Sequence, residues 1–299
     1  MPEFPDTHLA YYVVLVTDVL GQRSRLSELR DLPQSPDEAQ RVKKTLQDTV
    51  GVLIWWRNGF KDFFGSWGSP VLTDIKDSVI RACSSDIAYR HFSDTIIVSV
   101  CLSDDGSESR NPMMGVLGTL LAASCMHLLS LSGGHPTRGG IDVGPAMPLP
   151  EGDIYGPALA DAYDLEKTVA VYPRVAVGHR LNQYIEQVAS KEIHSQFDKV
   201  ARDMAQPCQH LIFPDSDGNL ALDFLGEEMF KRDIEAQGVL IKSLPKAYQF
   251  VRSAQLHWHG QNNSKLAVKY DMLWDYFRLR AHIWGTEIKH LADELDHIC

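Results

Sequence analysis

The chain has 299 residues, 44% hydrophobic and 23% charged, which is enough apolar material for a full core and excludes a disordered chain. A formal net charge of −10 leaves no basic excess for phosphate backbones, which argues against a general nucleic-acid binder but not against a small anion held by local groups and a metal. Five scattered cysteines with no CxxC pair suggest neither a disulfide framework nor a zinc site, and the N-terminal Met1-Pro-Glu-Phe-Pro-Asp6 lacks the regions of a signal peptide, so a cytoplasmic location is expected.

Tyr11-Tyr-Val-Val-Leu-Val-Thr17 predicts a first strand, apolar on both faces and therefore central in a sheet. It leads into Asp18, with Gly21 close behind. Ser35-Pro36-Asp37-Glu38 predicts a helix start, with Ser35 as N-cap and proline and acids in the first turn. Val42, Leu46, Val50, Leu53 and Ile54 continue it at helical spacing, and Asn58-Gly59 with the aromatic, glycine-containing Phe60–Pro70 stretch is expected to end it. A short helix is expected around Ser78–Cys83. Residues 87–102 read as a hairpin, two apolar β-forming runs around a polar break, with Asp94 at the turn. A polar loop follows to Pro112.

Residues Met113 to Ser132 are apolar enough, on length alone, to span a bilayer. Gly115, Gly118, Ser124, His127 and Ser130 interrupt the run, and Ser132-Gly133-Gly134 closes it. These interruptions predict a buried helix of an α/β domain, with no membrane involved. Arg138-Gly-Gly-Ile-Asp-Val-Gly-Pro145 reads as a strand whose glycines mark close approach by a ligand or another backbone. Tyr155–Glu166 reads as a helix and Tyr172–Val177 as a strand. The order β-α-α-β-β-α-β-α-β predicts an α/β (α+β) fold, an antiparallel-containing sheet covered by helices. Beyond residue 180, Arg180–Ala205 and Gly226–Leu240 have helical periodicity and Phe213–Asp223 reads as extended. Trp258, Tyr270, Trp274, Phe277 and Trp284 suit packed helices. The expected organisation is a domain over residues 1–180 and a mostly helical extension over 181–299, serving as a dimerisation or lid element.

Two aspartates at strand ends, able to meet in space, are what a divalent cation on a triphosphate requires. Asp18 and Asp94 would hold the metal, with the backbone carbonyl of Val19 as a further ligand. The amides of Val19, Leu20, Gly21 and Gln22 would cradle phosphates, Gly21 allowing close approach. The plainer readings are a strand-end cap for Asp18 and a turn residue for Asp94.

Three segments resemble the class III nucleotidyl cyclases: Val16-Thr-Asp18-Val-Leu-Gly21, Phe92-Ser-Asp94, and Arg138–Pro145 followed by Asp153-Ile-Tyr-Gly156 and an alanine-rich helix. Phe92-Ser-Asp-Thr-Ile-Ile97, Arg138-Gly-Gly-Ile141, Tyr155-Gly-Pro-Ala-Leu159 and Tyr172-Pro-Arg-Val175 are further similar to the pyrimidine cyclases of Pycsar antiphage systems. The resemblance covers about residues 10–180. It implies a ferredoxin-type sheet and two Mn²⁺ (or Mg²⁺) ions per active site. The implied reaction is UTP to 3′,5′-cyclic UMP and pyrophosphate, the product activating a separate effector. It also implies a homodimer with sites at the interface.

One departure stands out: where the family's helix carries an asparagine and an arginine that steady the ribose and the transition state, this chain has Ala160 and Asp164. Arg23, Arg138 and Arg174 are the candidate replacements, Arg138 and Arg174 being taken as catalytic. Arg90 and Asp153 stand where the family reads the base; an arginine donor beside a carboxylate acceptor suits uracil better than cytosine, the alternative being a surface ion pair. The other readings are a cytidylate or purine cyclase and, in a different class, an inactive module that binds nucleotide or a partner.

Overall fold

The structure, a computed structural model, describes residues 9–27, 29, 31–67, 87–103, 112–149, 153–235 and 238–285. The helix expected near residues 78–83 and most of the polar loop before Pro112 lie outside them. Strand β1 (Ala10–Val19) sits inside the sheet because both its faces are covered: Val13 and Leu15 join the main core, while Val14 and Val16 join a smaller cluster on the other side. It pairs antiparallel with β3 (Thr95–Ser103) and β4 (Thr137–Pro148). Beyond β3 lies β2 (Ile87–Phe92), its hairpin partner. A short β5 (Ile154–Tyr155) pairs with the end of β4. On the other side β6 (Val175–Val177) runs parallel to β4, followed by β8 (Leu220–Leu222) and β7 (Ile212–Pro214). The order is β2-β3-β1-β4-β6-β8-β7, a mixed, mainly antiparallel sheet.

After a short α1 (Gln22–Ser27), α2 (Pro36–Trp67) begins at the expected cap: Ser35 Oγ accepts from the Glu38 N–H at 3.2 Å, and Glu38 reaches back to accept from the Gln34 N–H at 2.6 Å. It does not end at Asn58-Gly59. Gly59 is a packing contact: a Cβ there would lie 2.6 Å from Met126 Sδ of α3 (Pro112–Ser132). Gly118 of α3 makes the same kind of contact, against the Phe64 ring. Two helices approach closely through their glycines, so the helix runs on.

Helix α3 is apolar all round because it is enclosed by α2, β3 and helices from the C-terminal third, and nearly all its residues are buried. The opposite face of the sheet is covered by α4 (Pro157–Asp164) and a single π-helical turn, Leu165–Val169. Residues 180–205 form two helices, α5 (His179–Ser190) and α6 (Gln196–His210), with Ser195 capping the second. Helices α7 (Glu227–Glu235), α8 (Leu244–Gly260) and α9 (Ser264–Arg280) follow within the described residues. The extended segment expected at 213–223 becomes β7 and β8 of the same sheet. One hydrophobic cluster runs from Val13 to Trp284, so the core does not break at residue 180.

Candidate active site

Asp18, near the end of β1, faces Thr95 on β3 in one register and Arg138 on β4 in the other. The β2–β3 turn is Ser93-Asp94, with Ser93 at φ +59°. Only the first turn position has positive φ, the pattern of a type II′ turn, whose twist matches a two-residue hairpin. The turn is then tied to β1, because the Val19 N–H donates to the Asp94 carbonyl at 3.1 Å. The Leu20 N–H donates to the Pro136 carbonyl at 2.8 Å. The two aspartates are therefore held side by side by backbone geometry. The same bonds correct one expectation: the amides of Val19 and Leu20 are engaged within the fold and do not point at phosphates. Gly21, at φ +85°, turns the chain at the cavity wall.

Asp18, Val19, Leu20, Gly21, Arg23, Asp94, Thr95 and Arg138 line a cavity of about 410 Å³, completed by Tyr163, Glu166 and Lys167. Arg138 sits between two carboxylates, its Nε 2.7 Å from Glu166 Oε1 and its Nη2 3.7 Å from Asp18 Oδ2. The closer contact is an ion pair without hydrogen-bond alignment, since neither atom has a hydrogen-bond partner. Burial, then the charges of Asp94 and Glu166, push the Asp18 carboxyl up to about 6 against the pull of Arg138 and Arg23. Burial raises Glu166 as well, while Arg138 and Lys167 oppose the shift.

Three carboxylates facing Arg23, Arg138 and Lys167 can accept a polyanion together with a cation. Among the described residues no three His, Cys, Asp or Glu side chains could hold a metal unaided. Two crowded carboxylates, one with its proton affinity raised by the other, still fit a hard divalent cation that takes its remaining ligands from phosphate and water.

Glu166 and Lys167 are the residues that sequence reasoning missed. They project from the π-helical turn, where the Ala170 N–H donates to the Leu165 carbonyl at 2.9 Å. Gly140 admits that turn: a Cβ there would lie 2.2 Å from the Ala162 carbonyl oxygen and 2.5 Å from the Glu166 nitrogen. The strand glycines expected to admit a ligand or backbone admit a backbone at this position.

The other candidates divide. Gln22 is buried, and its side chain lines a different, apolar cavity of about 640 Å³ between α1 and α2, which Ser93 and Asp94 also border. Arg90 Nε donates to Asp153 Oδ1 at 2.8 Å; the two meet as an exposed pair and do not line the carboxylate cavity of their own chain. Arg174 is only 2% exposed, ion-paired with Asp215 and Asp217, and likewise does not line the cavity, which removes it as a group that touches substrate. Ala160 faces an apolar cavity of about 510 Å³ with Ile97, Tyr155, Pro157 and Leu159, and Tyr163 borders both this space and the carboxylate cavity.

No family model matches the chain, and no curated protein does. Among solved structures the chain is similar to the crystal structure of the adenylyl cyclase CyaB from P. aeruginosa, at 15% sequence identity and a TM-score of 0.39, over 62% of this chain and 84% of that one. A likeness that distant carries no weight on chemistry; the cavity's own residues must.

Proposed function

We propose that the cavity binds the triphosphate of a nucleoside triphosphate with divalent cations, and that the chain is a nucleotide cyclase. The observation that carries this reading is the pinning of Asp18 and Asp94 together in the lining of a cavity that also holds three cationic side chains. In the reaction the ribose 3′-oxygen bonds to the α-phosphorus and the bond to pyrophosphate breaks. Asp18 and Asp94 would hold the cations, with the Val19 carbonyl as a further ligand. Mn²⁺ or Mg²⁺, two per site when bound, would supply acidification of the 3′-hydroxyl and charge balance on the phosphates. Arg138, oriented by Glu166, and Arg23 and Lys167 stabilise the phosphate charge that grows toward the leaving group. These three take the place of the family's absent asparagine and arginine.

UTP is the preferred substrate, ahead of CTP. Arg90 as donor and Asp153 as acceptor lie side by side, as the adjoining carbonyl and N–H of uracil demand, and cytosine would leave one of them unmatched. Because this pair lies outside the cavity of its own chain, it reads a base only across a homodimer. The product, cyclic UMP, serves as a signal for a separate effector in antiphage defence, inside the cytoplasm. Purified protein incubated with Mn²⁺ and each ribonucleoside triphosphate in turn tests the reading: cyclic UMP from UTP supports it, cyclic CMP overturns the base assignment, and a cyclic purine product overturns the pyrimidine reading. A second reading, a binding-only module, is favoured by Ala160 and Asp164, and would give nucleotide binding with no product from any of the four.

A further inference from the structure

We propose that Asp215 and Asp217, in the C-terminal third, are positioning residues for the carboxylate cavity and act on it through Arg174. The inference rests on the reading of the cavity as the reaction site only for its kinetic readout.

Arg174 enters β6 from a loop, and its guanidinium is buried where a cation needs full pairing. Asp215 and Asp217, in the turn joining β7 to β8, supply that pairing, with Arg174 Nη1 donating to Asp217 Oδ1 at 3.1 Å. The turn is itself braced: the Ser216 N–H donates to Asp215 Oδ1 at 2.6 Å, the Asn219 N–H donates to Asp217 Oδ1 at 3.0 Å, and the Tyr172 hydroxyl donates to Asp215. Arg174 holds the Asp217 carboxyl far below the usual carboxylate range, so the pair stays charged at any ordinary pH.

Two further contacts of Arg174 lead toward the cavity. Its Nη2 donates to the Val169 carbonyl at 2.7 Å, the last residue of the π-helical turn that carries Glu166 and Lys167. Its own backbone carbonyl accepts from the Gly139 N–H at 2.9 Å, next to Arg138. A π turn is an uncommon geometry that surroundings must hold. Here one buried side chain closes its end, and two carboxylates more than 40 residues downstream fix that side chain. A turn of the C-terminal third is thus linked through Arg174 to the segment that carries Glu166 and Lys167.

The test uses the full chain as Asp217→Asn, Asp217→Glu and, as a control, Asp223→Asn. Asp223 pairs with Tyr276 and Arg280 in the same third of the chain and makes no contact with Arg174. Turnover of UTP with Mn²⁺ and deuterium uptake over residues 163–169 are measured for each. Asp217→Asn is expected to lower kcat roughly tenfold to a hundredfold with little change in KM, and to raise uptake over 163–169. Asp217→Glu should restore part of both, and Asp223→Asn should leave both near wild type whatever it does to Tm. Wild-type behaviour of Asp217→Asn, or equal losses in Asp223→Asn, would overturn the proposal. If Asp217→Asn does not fold, Arg174→Lys, which keeps the charge but loses the fork reaching Val169, is judged by the same criteria. If wild type makes no cyclic product the functional reading fails, and the uptake comparison alone decides the coupling.

Discussion

The backbone N–H of Val19 donates to the backbone carbonyl of Asp94, so the strand carrying Asp18 and the turn carrying Asp94 are fastened together before any side chain is considered. The carboxylates are neighbours because the chain leaves them no other place. That crowding has a consequence for stability.

Asp18 titrates near 6 in the folded chain, against an ordinary value of 3.8. The folded state therefore holds the proton more tightly than the unfolded state. The stability this confers is present below pH 3.8 and is lost as pH rises through about 6. About two pKa units correspond to an upper figure of about 3 kcal/mol. Asp18→Asn should remove that decline: in metal-free buffer its Tm should exceed wild type at pH 7.5 and match it near pH 4. Parallel melting curves across pH 4–8 would contradict the burial and charge crowding assigned to Asp18.

Gly140→Ala sets a methyl against backbone atoms of α4 and the π turn, which cannot swing aside. A loss of about 1–3 kcal/mol or more is expected in denaturant melts, with loss of turnover as Glu166 and Lys167 are displaced. Gly59→Ala meets only the flexible end of Met126 and should cost less. Equal costs at the two positions would count against a tight packing of the π turn on β4.

Arg138→Ala leaves Glu166 and Asp18 without their shared cation and should lower kcat by roughly a hundredfold or more. Lys167→Ala, at a more exposed position, should act mainly through KM. Steady-state kinetics that show the reverse order would move the main phosphate contact from Arg138 to the π turn.

Asp94→Asn and Asp153→Ala, each inactive alone, should recover activity when mixed, because a heterodimer restores one site with intact metal ligands from one protomer and an intact base pair from its partner. A mixture as inactive as its parts, from chains that sediment as monomers at assay concentration, would place the whole reaction within one chain.

Much of this was legible in local chemistry. Apolar β-forming runs leading into Asp18 and flanking Asp94 marked the strands, the Ser35 cap marked a helix start, and the interrupted apolar run marked a core helix. What was not legible depends on contacts far apart in the chain. The π turn arises where Gly140 lets two backbones touch, and without that contact Glu166 and Lys167 read as ordinary helix positions. Arg174, beside a motif, was a catalytic candidate because its partners lie 41 and 43 residues away, in a turn between strands three residues long that carry little periodic signal. Gly59 looked like a helix stop until Met126 was seen against it.

The most direct test of the central claim is the product formed from UTP with Mn²⁺ by wild type and by Asp94→Asn, each checked for an intact fold. The account predicts 3′,5′-cyclic UMP and pyrophosphate from wild type and none from a folded Asp94→Asn. Equal product from the two would contradict the assignment of Asp94, and no cyclic product from wild type with any of the four triphosphates would contradict the assignment of the protein as a cyclase.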